Sequence, residues 1–185
     1  MTSRPLRFHL CNGAGAYTLP GHHSDGIRLG IHLFGAKEGA PLPIGLQPVM
    51  RLKSRVMHLH PLRRGDAVGY GGDFVAPGEC EIATLPIGYA DGLLRSCAGA
   101  NVSIQTHTGC KRARLVGRIC MDSCMLDVTT SGAEIGDTVT LFGDTPGTLS
   151  LLAKHAGTIP YELLCAVSPR VPRLFLDRTP PDLHL

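Results

Sequence analysis

A chain of 185 residues that is 43% hydrophobic can bury a core and form one domain, or one domain with part of a second. Its 18 basic and 15 acidic residues are spread along the chain and give a formal charge of only +3, which favours a solvated basic face over a nucleic-acid-binding surface. No apolar run reaches the length of a membrane span, and the N-terminus lacks the apolar core of a signal peptide, so we expect a cytoplasmic protein without a membrane partner.

The first part of the chain has the pattern of an α/β unit. Short apolar runs in residues 9–21 and 22–35 end in glycine, as expected where strands meet loops, and residues 40–50 form a Pro-rich connector. Such strands cannot complete their hydrogen bonding or bury both faces without parallel neighbours. We therefore expect residues 1–47 to be part of a larger parallel arrangement.

From Met50 onward the pattern changes to that of a mainly β domain, predicted over residues 48–178, with a tail at 179–185. Runs that alternate or stay apolar predict strands, and they lie at residues 50–59, 80–90, 111–129 and 137–143. Only residues 148–168 repeat their apolar positions near a period of 3.6, which predicts helices interrupted between Gly157 and Pro160.

The cysteines favour buried thiols rather than a metal site. Seven are present without any C-x-x-C pair, at positions 11, 80, 97, 110, 120, 124 and 165. If residues 118–128 are extended, Cys120 and Cys124 share a strand face, which does not suit zinc because zinc needs close, converging ligands. We expect reduced core thiols and no metal.

One tyrosine stands in an unusual place, within the stretch LPIGYADGLLR, between two small residues and just before Asp91-Gly92. A phenol keeps its proton in neutral water, so Tyr89 could act as a base only where neighbouring cations stabilise the phenolate. The simpler alternative is a tyrosine that packs its ring at a strand end, with Asp91-Gly92 as an ordinary turn.

Three further positions could bind an anion. Arg28 directly precedes the stretch LGIHLFG, whose glycines allow backbone N–H groups to approach a phosphate. Tyr161 follows a proline at the start of a predicted helix, and Met121-Asp122 interrupt an apolar strand where a bulged N–H could bind a carboxylate. Each also has a simpler explanation: a surface arginine, a capping or packing tyrosine, a core methionine.

In their order along the chain, the motifs closely resemble the C-terminal half of alanine racemase, a family of enzymes that depend on pyridoxal 5'-phosphate (PLP). The resemblance runs from about His9 to Phe175, and its most specific motifs are IGYADG and GRICMD. The others are HLCNGAG, DGIRLGIHLFG, LQPVMRLKSRV, GDAVGYGGDFVA, GDTVTLFG and IPYELLCAVSPRVPRLF. The resemblance implies a barrel-like β domain over 48–178, preceded by a remnant of a PLP-binding (β/α)₈ barrel over 1–47. It also implies a homodimer in which this β domain completes the partner's active site.

The resemblance also assigns roles. Tyr89 matches the base that removes the α-proton from L-alanine and returns it in the opposite direction of the reaction, and Met121, with Asp122 beside it, matches the backbone position that binds the substrate carboxylate. Arg28 matches the arginine on the pyridine nitrogen of PLP, and His9 a histidine that orients it. A guanidinium does not release its proton, so such an arginine leaves the ring nitrogen unprotonated and weakens PLP as an electron sink. The positions that match the phosphate site are Gly13, Gly30, Ile31 and Tyr161.

Three departures limit what the resemblance implies. Gly13 stands where the family usually has a serine whose hydroxyl contacts the phosphate. The lysine that binds PLP covalently lies in the barrel's first strand-loop, and no match to it is found among Lys37, Lys53, Lys111 and Lys154. The arginine that supports the tyrosinate is not matched either. A racemase needs a base on each face of the substrate, so we expect this chain alone to be inactive.

The implied function is therefore interconversion of L- and D-alanine, with D-alanine supplied for peptidoglycan, by a chain that acts as a homodimer or with a complementing N-terminal barrel half. Two alternatives stay open. The chain could be a non-catalytic dimerisation or binding module, or the racemase could act on serine or on a broad range of amino acids. Substrate size is set partly by barrel residues, so the sequence does not choose among these.

Overall fold

The computed structural model describes residues 5–37, 45–145 and 148–176. The predicted tail at 179–185 lies outside these ranges. Three α-helices are described, α1 (Gly13–Thr18), α2 (Thr148–His155) and α3 (Pro160–Ala166), with short 3₁₀ turns between other elements. In the part of the chain that the structure describes, no helix has the length and apolar character needed to cross a membrane.

The region from residue 45 onward is built on β-strands. Their bounds are β1 Leu52–Arg55, β2 His58–Leu62, β3 Ala67–Val68, β4 Phe74–Val75, β5 Cys80–Leu85, β6 Asn101–Thr106, β7 Gly109–Val116, β8 Cys124–Asp127 and β9 Thr138–Phe142. Seven of them form one antiparallel sheet in the order β1-β9-β6-β7-β8-β5-β2, and β3 pairs with β4. The prediction of a mainly β domain is confirmed; its boundaries at 48 and 178 stay a prediction.

The sheet curls because its two edge strands follow one another in the chain. Only Val56 and Met57 separate β1 from β2. The Val56 N–H donates to the carbonyl of Asp137, next to β9, and the Met57 N–H donates to the carbonyl of Thr84 in β5. Two successive residues thus bond to the strands next to the two edges, β9 on one side and β5 on the other, which brings those edges together at this corner.

One face of the sheet forms the core. Burial alternates along β6, where Val102, Ile104 and Thr106 are buried and the residues between them are less so, as the period of two in a strand requires. Helices α2 and α3 add buried leucines at 149, 152 and 163. Side chains with the least exposure include Leu85, Leu93, Ile104, Leu115, Leu126, Val139 and Leu163.

Three predicted strands differ from the structure. The run 80–90 is a strand only as far as Leu85, and a short 3₁₀ turn, Tyr89–Asp91, follows it. Residues 50–59 form two strands rather than one, because the chain turns at Val56 and Met57. The run 111–129 is also divided: β7 and β8 are antiparallel neighbours, with Arg114 opposite Asp127, so the chain must reverse between them. Cys120 lies in that connecting loop, and the idea that it shares a strand face with Cys124 is wrong. The bulge expected at Met121-Asp122 is likewise a loop.

Residues 5–37 contain α1, two 3₁₀ turns (Pro20–His22 and Ile31–Phe34) and no strand among the described residues. A single parallel bridge joins Asn12 to Arg28, whose N–H donates to the Cys11 carbonyl at 2.8 Å. We expected strands with continuous backbone hydrogen bonding here. Only this single bridge forms among the described residues, because no parallel strand flanks the segment. The assignment of residues 1–47 to a barrel remnant stays a prediction.

Candidate functional site

Tyr89 is held in a short turn that follows β5. It begins the 3₁₀ turn Tyr89–Asp91, and the Asp91 carboxylate accepts the Gly88 N–H at 2.8 Å, which closes the turn from within. Gly92 then has φ +108°, a left-handed conformation that favours glycine. The Tyr89 side chain is 41% exposed, so its hydroxyl group is carried on a fixed backbone at the surface of the domain.

This turn is joined to the loop between β7 and β8 through backbone atoms. The N–H groups of Tyr89 and Ala90 donate to the carbonyls of Cys120 and Met121, both at 3.0 Å. Gly88 allows this approach, because a Cβ there would lie 2.3 Å from the Cys120 carbonyl oxygen. The two most specific motifs of the sequence thus form one unit, residues 88–92 and 120–122, which we call the tyrosine cluster.

Met121 presents a backbone N–H donor that is not used within the part of the chain that the structure describes. Its carbonyl accepts from Ala90, but its N–H has no acceptor among the described residues, whereas the neighbouring Cys120 N–H donates to the Ser123 carbonyl at 2.9 Å. The residue is exposed. The Met121 N–H can therefore bind an acceptor from solution, as its predicted role with a carboxylate requires.

Arg170 completes the tyrosine cluster and was not found from the sequence. Its Nε donates to Asp91 Oδ1 at 2.8 Å and its Nη2 to Asp122 Oδ1 at 2.5 Å. These two carboxylates, Asp91 first, raise the pKa of the guanidinium above its usual value. The run SPRVPR gives no local signal of this contact, because Arg170 and Asp91 are 79 positions apart.

A second group of predicted residues, which we call the glycine cluster, is formed by Gly13, Gly30, Ile31 and Tyr161. Gly30 and Ile31 begin the 3₁₀ turn after Arg28, and neither N–H has an acceptor among the described residues. A Cβ at Gly30 would lie 3.9 Å from the ring of Tyr161, whose side chain is 41% exposed. The structure thus brings unused N–H donors and a phenol together.

His32 belongs to this cluster and was also missed. A Cβ at Gly13 would lie 2.3 Å from its Nδ1, so the imidazole occupies the space that a side chain at 13 would need. That nitrogen is buried without a hydrogen-bond partner among the described residues, and the ring packs edge-on against Tyr17 at 5.1 Å between centroids. Glycine at 13 and histidine at 32 are therefore sterically linked.

Arg28 lies beside the glycine cluster but does not meet His9 as predicted. Its guanidinium is exposed and donates to the Leu10 carbonyl at 3.2 Å. Within the part of the chain that the structure describes, no hydrogen bond joins His9 to Arg28. The Leu10 carbonyl holds the guanidinium in this structure, and orientation by His9 stays a prediction.

Helix α3 separates the two clusters. Tyr161, its second residue, lies beside Gly30, whereas its last residue, Ala166, has its carbonyl oxygen 2.4 Å from where a Cβ at Gly92 would be. Seven helical residues rise about 10 Å. The tyrosine cluster and the glycine cluster therefore sit near opposite ends of one helix within a single chain.

The cysteines are free thiols, and several of them are buried. All seven are free; burial raises the pKa of Cys97 to about 11 and that of Cys124 to about 12. Cys110 and Cys165 are exposed. The described residues contain no group of three side chains able to hold a metal ion.

A cleft of about 540 Å³ lies next to the β7–β8 loop but contains none of the predicted site residues. Three arginines at positions 95, 114 and 118 line it. Arg118 donates to Asp73 at 2.6 Å, which lowers the pKa of that carboxyl and raises that of the guanidinium. One of its three arginines is thus paired with a carboxylate, and none of the predicted chemistry lies in this cleft.

Comparison with known proteins agrees with this geometry. Residues 49–175 match the family described as "Alanine racemase, C-terminal domain". The chain is 43% identical to alanine racemase of Desulfovibrio desulfuricans over 173 residues, which cover 91% of this chain and 46% of that protein. It is 40% identical to alanine racemase of Treponema denticola over 187 residues, which cover 95% of this chain and 48% of that protein.

Solved structures give the same result. Biosynthetic alanine racemase from Pseudomonas aeruginosa superposes with a TM-score of 0.84 at 36% identity, covering 92% of this chain and 48% of that one. Alanine racemase from Bacillus anthracis with bound L-Ala-P gives a TM-score of 0.83 at 32% identity, covering 93% and 45%. The chain thus spans about half the length of the relatives it matches.

Proposed function

Because the chain belongs to the alanine racemase family, we propose that it is the C-terminal portion of a PLP-dependent racemase that interconverts L-alanine and D-alanine. The family assignment confirms the resemblance first seen in the motifs. The observation that carries the proposal is the Tyr89 turn, bonded through its backbone to the loop whose Met121 N–H is unused. We propose further that the enzyme acts in the cytoplasm and supplies D-alanine for peptidoglycan.

In this proposal Tyr89 moves the α-proton. PLP, when bound, withdraws electrons from the amino acid and so makes its α-proton acidic. The Tyr89 oxygen, as a phenolate, accepts that proton from L-alanine, and as a phenol it delivers one when the reaction runs from D-alanine. Hydrogen bonds from the Tyr89 and Ala90 N–H groups fix the backbone of the turn, which limits the positions that the phenol can reach. The Met121 N–H binds the substrate carboxylate and orients the α-carbon.

The glycine cluster fits the phosphate of PLP. Gly30 and Ile31 offer two unused N–H donors and Tyr161 a half-exposed hydroxyl, which together suit a dianion. Gly13 gives no side-chain donor, but the orphaned imidazole of His32 lies against it. Arg28, an exposed residue two positions before Gly30, would donate to the pyridine nitrogen and leave it unprotonated.

The 185 residues alone are proposed to be inactive, because no lysine matches the one that binds PLP. Activity then requires the lysine-bearing barrel portion, whether in the same chain or in another. We propose that the working enzyme is a homodimer in which Tyr89 serves the partner's site. The separation of the tyrosine cluster from the glycine cluster along α3 supports this arrangement, since one chain holds the two groups at different ends of a helix.

Complementation tests the proposal. The chain is mixed with the separately expressed part of the D. desulfuricans racemase that precedes the region it matches, in the presence of PLP, and racemisation of L-alanine is followed by chiral chromatography. We expect turnover from the mixture and none from either part. Tyr89→Phe should lower the rate by at least about a hundredfold, since it removes the acid–base group.

Tyr70→Phe is the matched control, because Tyr70 is 75% exposed and lies outside both clusters. Equal turnover in the Tyr89→Phe and Tyr70→Phe mixtures would exclude Tyr89 as the base. Failure of the wild-type mixture to racemise any amino acid would instead favour a dimerisation or binding module. Running serine beside alanine in the same assay identifies the preferred substrate.

A further inference from the structure

A charge arrangement next to Met121 has no part in the roles assigned so far. The N–H proposed to bind the substrate carboxylate is followed directly by Asp122, whose carboxylate is 65% exposed. An anion approaching Met121 therefore meets a negative charge one residue away. Because the two residues are adjacent in the chain, this repulsion opposes binding of an anion at Met121.

Arg170 is the cation that contacts this carboxylate. It donates to Asp122 at 2.5 Å and to Asp91 at 2.8 Å, so one guanidinium bridges the loop that carries Met121 and the turn that carries Tyr89. The nearby Arg173 is directed elsewhere, since its guanidinium donates to the backbone carbonyls of Val167, Ser168 and Val171. Among the described residues, Asp122 is thus paired with Arg170, a cation that it shares with Asp91.

Fold stability does not account for this contact. Arg170 and Asp122 are about half and two-thirds exposed, and ion pairs in water between exposed side chains add little to the free energy of folding. The Tyr89 turn is already closed by the Asp91–Gly88 bond and joined to the loop by two backbone hydrogen bonds. At Asp122, what Arg170 adds is therefore a compensating charge.

We propose that Arg170 is a positioning residue that neutralises Asp122 so that a carboxylate can bind the Met121 N–H. The inference rests on the proposed function, in which that N–H receives the carboxylate of alanine. It predicts that loss of Arg170 weakens binding of anions, but not of neutral analogues, and that removing the charge of Asp122 as well restores binding.

The test uses the ¹⁵N-labelled full chain and needs no activity. Propionate, which has the carboxylate and carbon skeleton of alanine without its amine, is titrated while the Met121 amide is followed by NMR. Propionamide is the neutral comparison. Arg170→Gln should weaken the apparent affinity for propionate about tenfold, the effect expected for one nearby charge at partly screened distance. The double variant Arg170→Gln/Asp122→Asn should return to within about twofold of wild type.

Arg112→Gln is the matched control, an exposed arginine on β7 outside both clusters. If propionate shifts the wild-type Met121 amide but Arg170→Gln binds it equally well, the inference is wrong and the proposed function stands. If the double variant stays as weak as Arg170→Gln, Arg170 acts by holding the loops rather than by charge, and the inference is again wrong. If propionate does not change the NMR shift of the wild-type Met121 amide, the proposed role of Met121 is wrong, and the inference is wrong with it.

Discussion

The tyrosine cluster and the glycine cluster are built differently, although both carry predicted site residues. The first stands on the sheet and is held by backbone hydrogen bonds and the Arg170 contacts. The second stands mainly on residues 5–37, whose large apolar side chains are exposed: Leu6 at 82%, Phe8 at 61%, Leu10 at 78%, Leu33 at 62% and Phe34 at 51%. Exposed apolar side chains of this size are typical of a surface that packs against another part of a protein. The tyrosine cluster is thus held by contacts within the described residues, whereas the segment that carries most of the glycine cluster leaves much of its apolar surface unpacked.

The difference between the two regions is tested most directly by replacing one leucine in each with alanine. Leu85 in β5 is fully buried, so Leu85→Ala should lower the free energy of unfolding by about 2–5 kcal/mol, through lost transfer energy and the cavity left behind. Leu10→Ala should change it by no more than about 0.5 kcal/mol in the chain alone. Urea unfolding followed by circular dichroism measures both. A loss at Leu10 as large as that at Leu85 would mean that residues 5–37 are packed as firmly as the sheet.

Substitution of one glycine in each cluster tests the same difference between them. Gly88→Ala should cost about 1–3 kcal/mol of unfolding free energy, because its Cβ would meet the backbone oxygens of Cys120 and Met121, which cannot move without shifting the loop. Gly13→Ala should cost less, because its Cβ would meet only the side chain of His32, which can rotate away. The measurement is again urea unfolding.

Gly78→Ala is the control for this pair, since a Cβ there meets nothing within 4 Å. Adding His32→Ala to Gly13→Ala should remove the cost at position 13, if the imidazole is its cause. A Gly88→Ala variant as stable as Gly78→Ala would show that the turn and the loop are not held by close backbone contact.

The smallest expected effect is on stability at alkaline pH. Burial raises the pKa of Cys97 and Cys124 from 9.0 to about 11 and about 12 in the folded chain. At a pH between 9.0 and these raised pKa values, the unfolded chain releases thiol protons that the folded chain keeps. The two thiols therefore lower the free energy of unfolding as the pH rises above 9 and have no such effect below it. Unfolding free energies at pH 7 to 10 should therefore fall less steeply in Cys97→Ala/Cys124→Ala than in wild type. Cys110→Ala, which changes an exposed thiol, should leave the slope as it is.

Sequence reasoning succeeded where a residue's role depends on its own neighbours. Runs of apolar residues predicted strands, because a sheet with one buried face imposes a period of two on its side chains. A period near 3.6 predicted helices α2 and α3, with the break between them. It failed at the β7–β8 loop, because an apolar run does not reveal where a strand must reverse to pair with its neighbour. β6 was not predicted as a separate strand.

The site was predicted to a similar extent. The motifs located Tyr89, Met121 and the glycine cluster, and their roles stay predictions. Arg170 was out of reach, since its contact with Asp91 spans 79 positions and depends on the completed fold. The role of His32 could not be predicted, because its ring fills the space that a side chain at position 13 would occupy, and only the folded structure shows this.

The hydrogen bonds from the Tyr89 turn to the β7–β8 loop end on the carbonyls of Cys120 and Met121. Every amino acid supplies the same carbonyl, so the alignment of the tyrosine does not depend on which side chains stand at 120 and 121. It does depend on glycine at 88. A library that randomises 120 and 121 while keeping 88 can therefore diversify the surface around the phenol without losing its placement, which makes this loop a natural starting point for directed evolution of substrate preference.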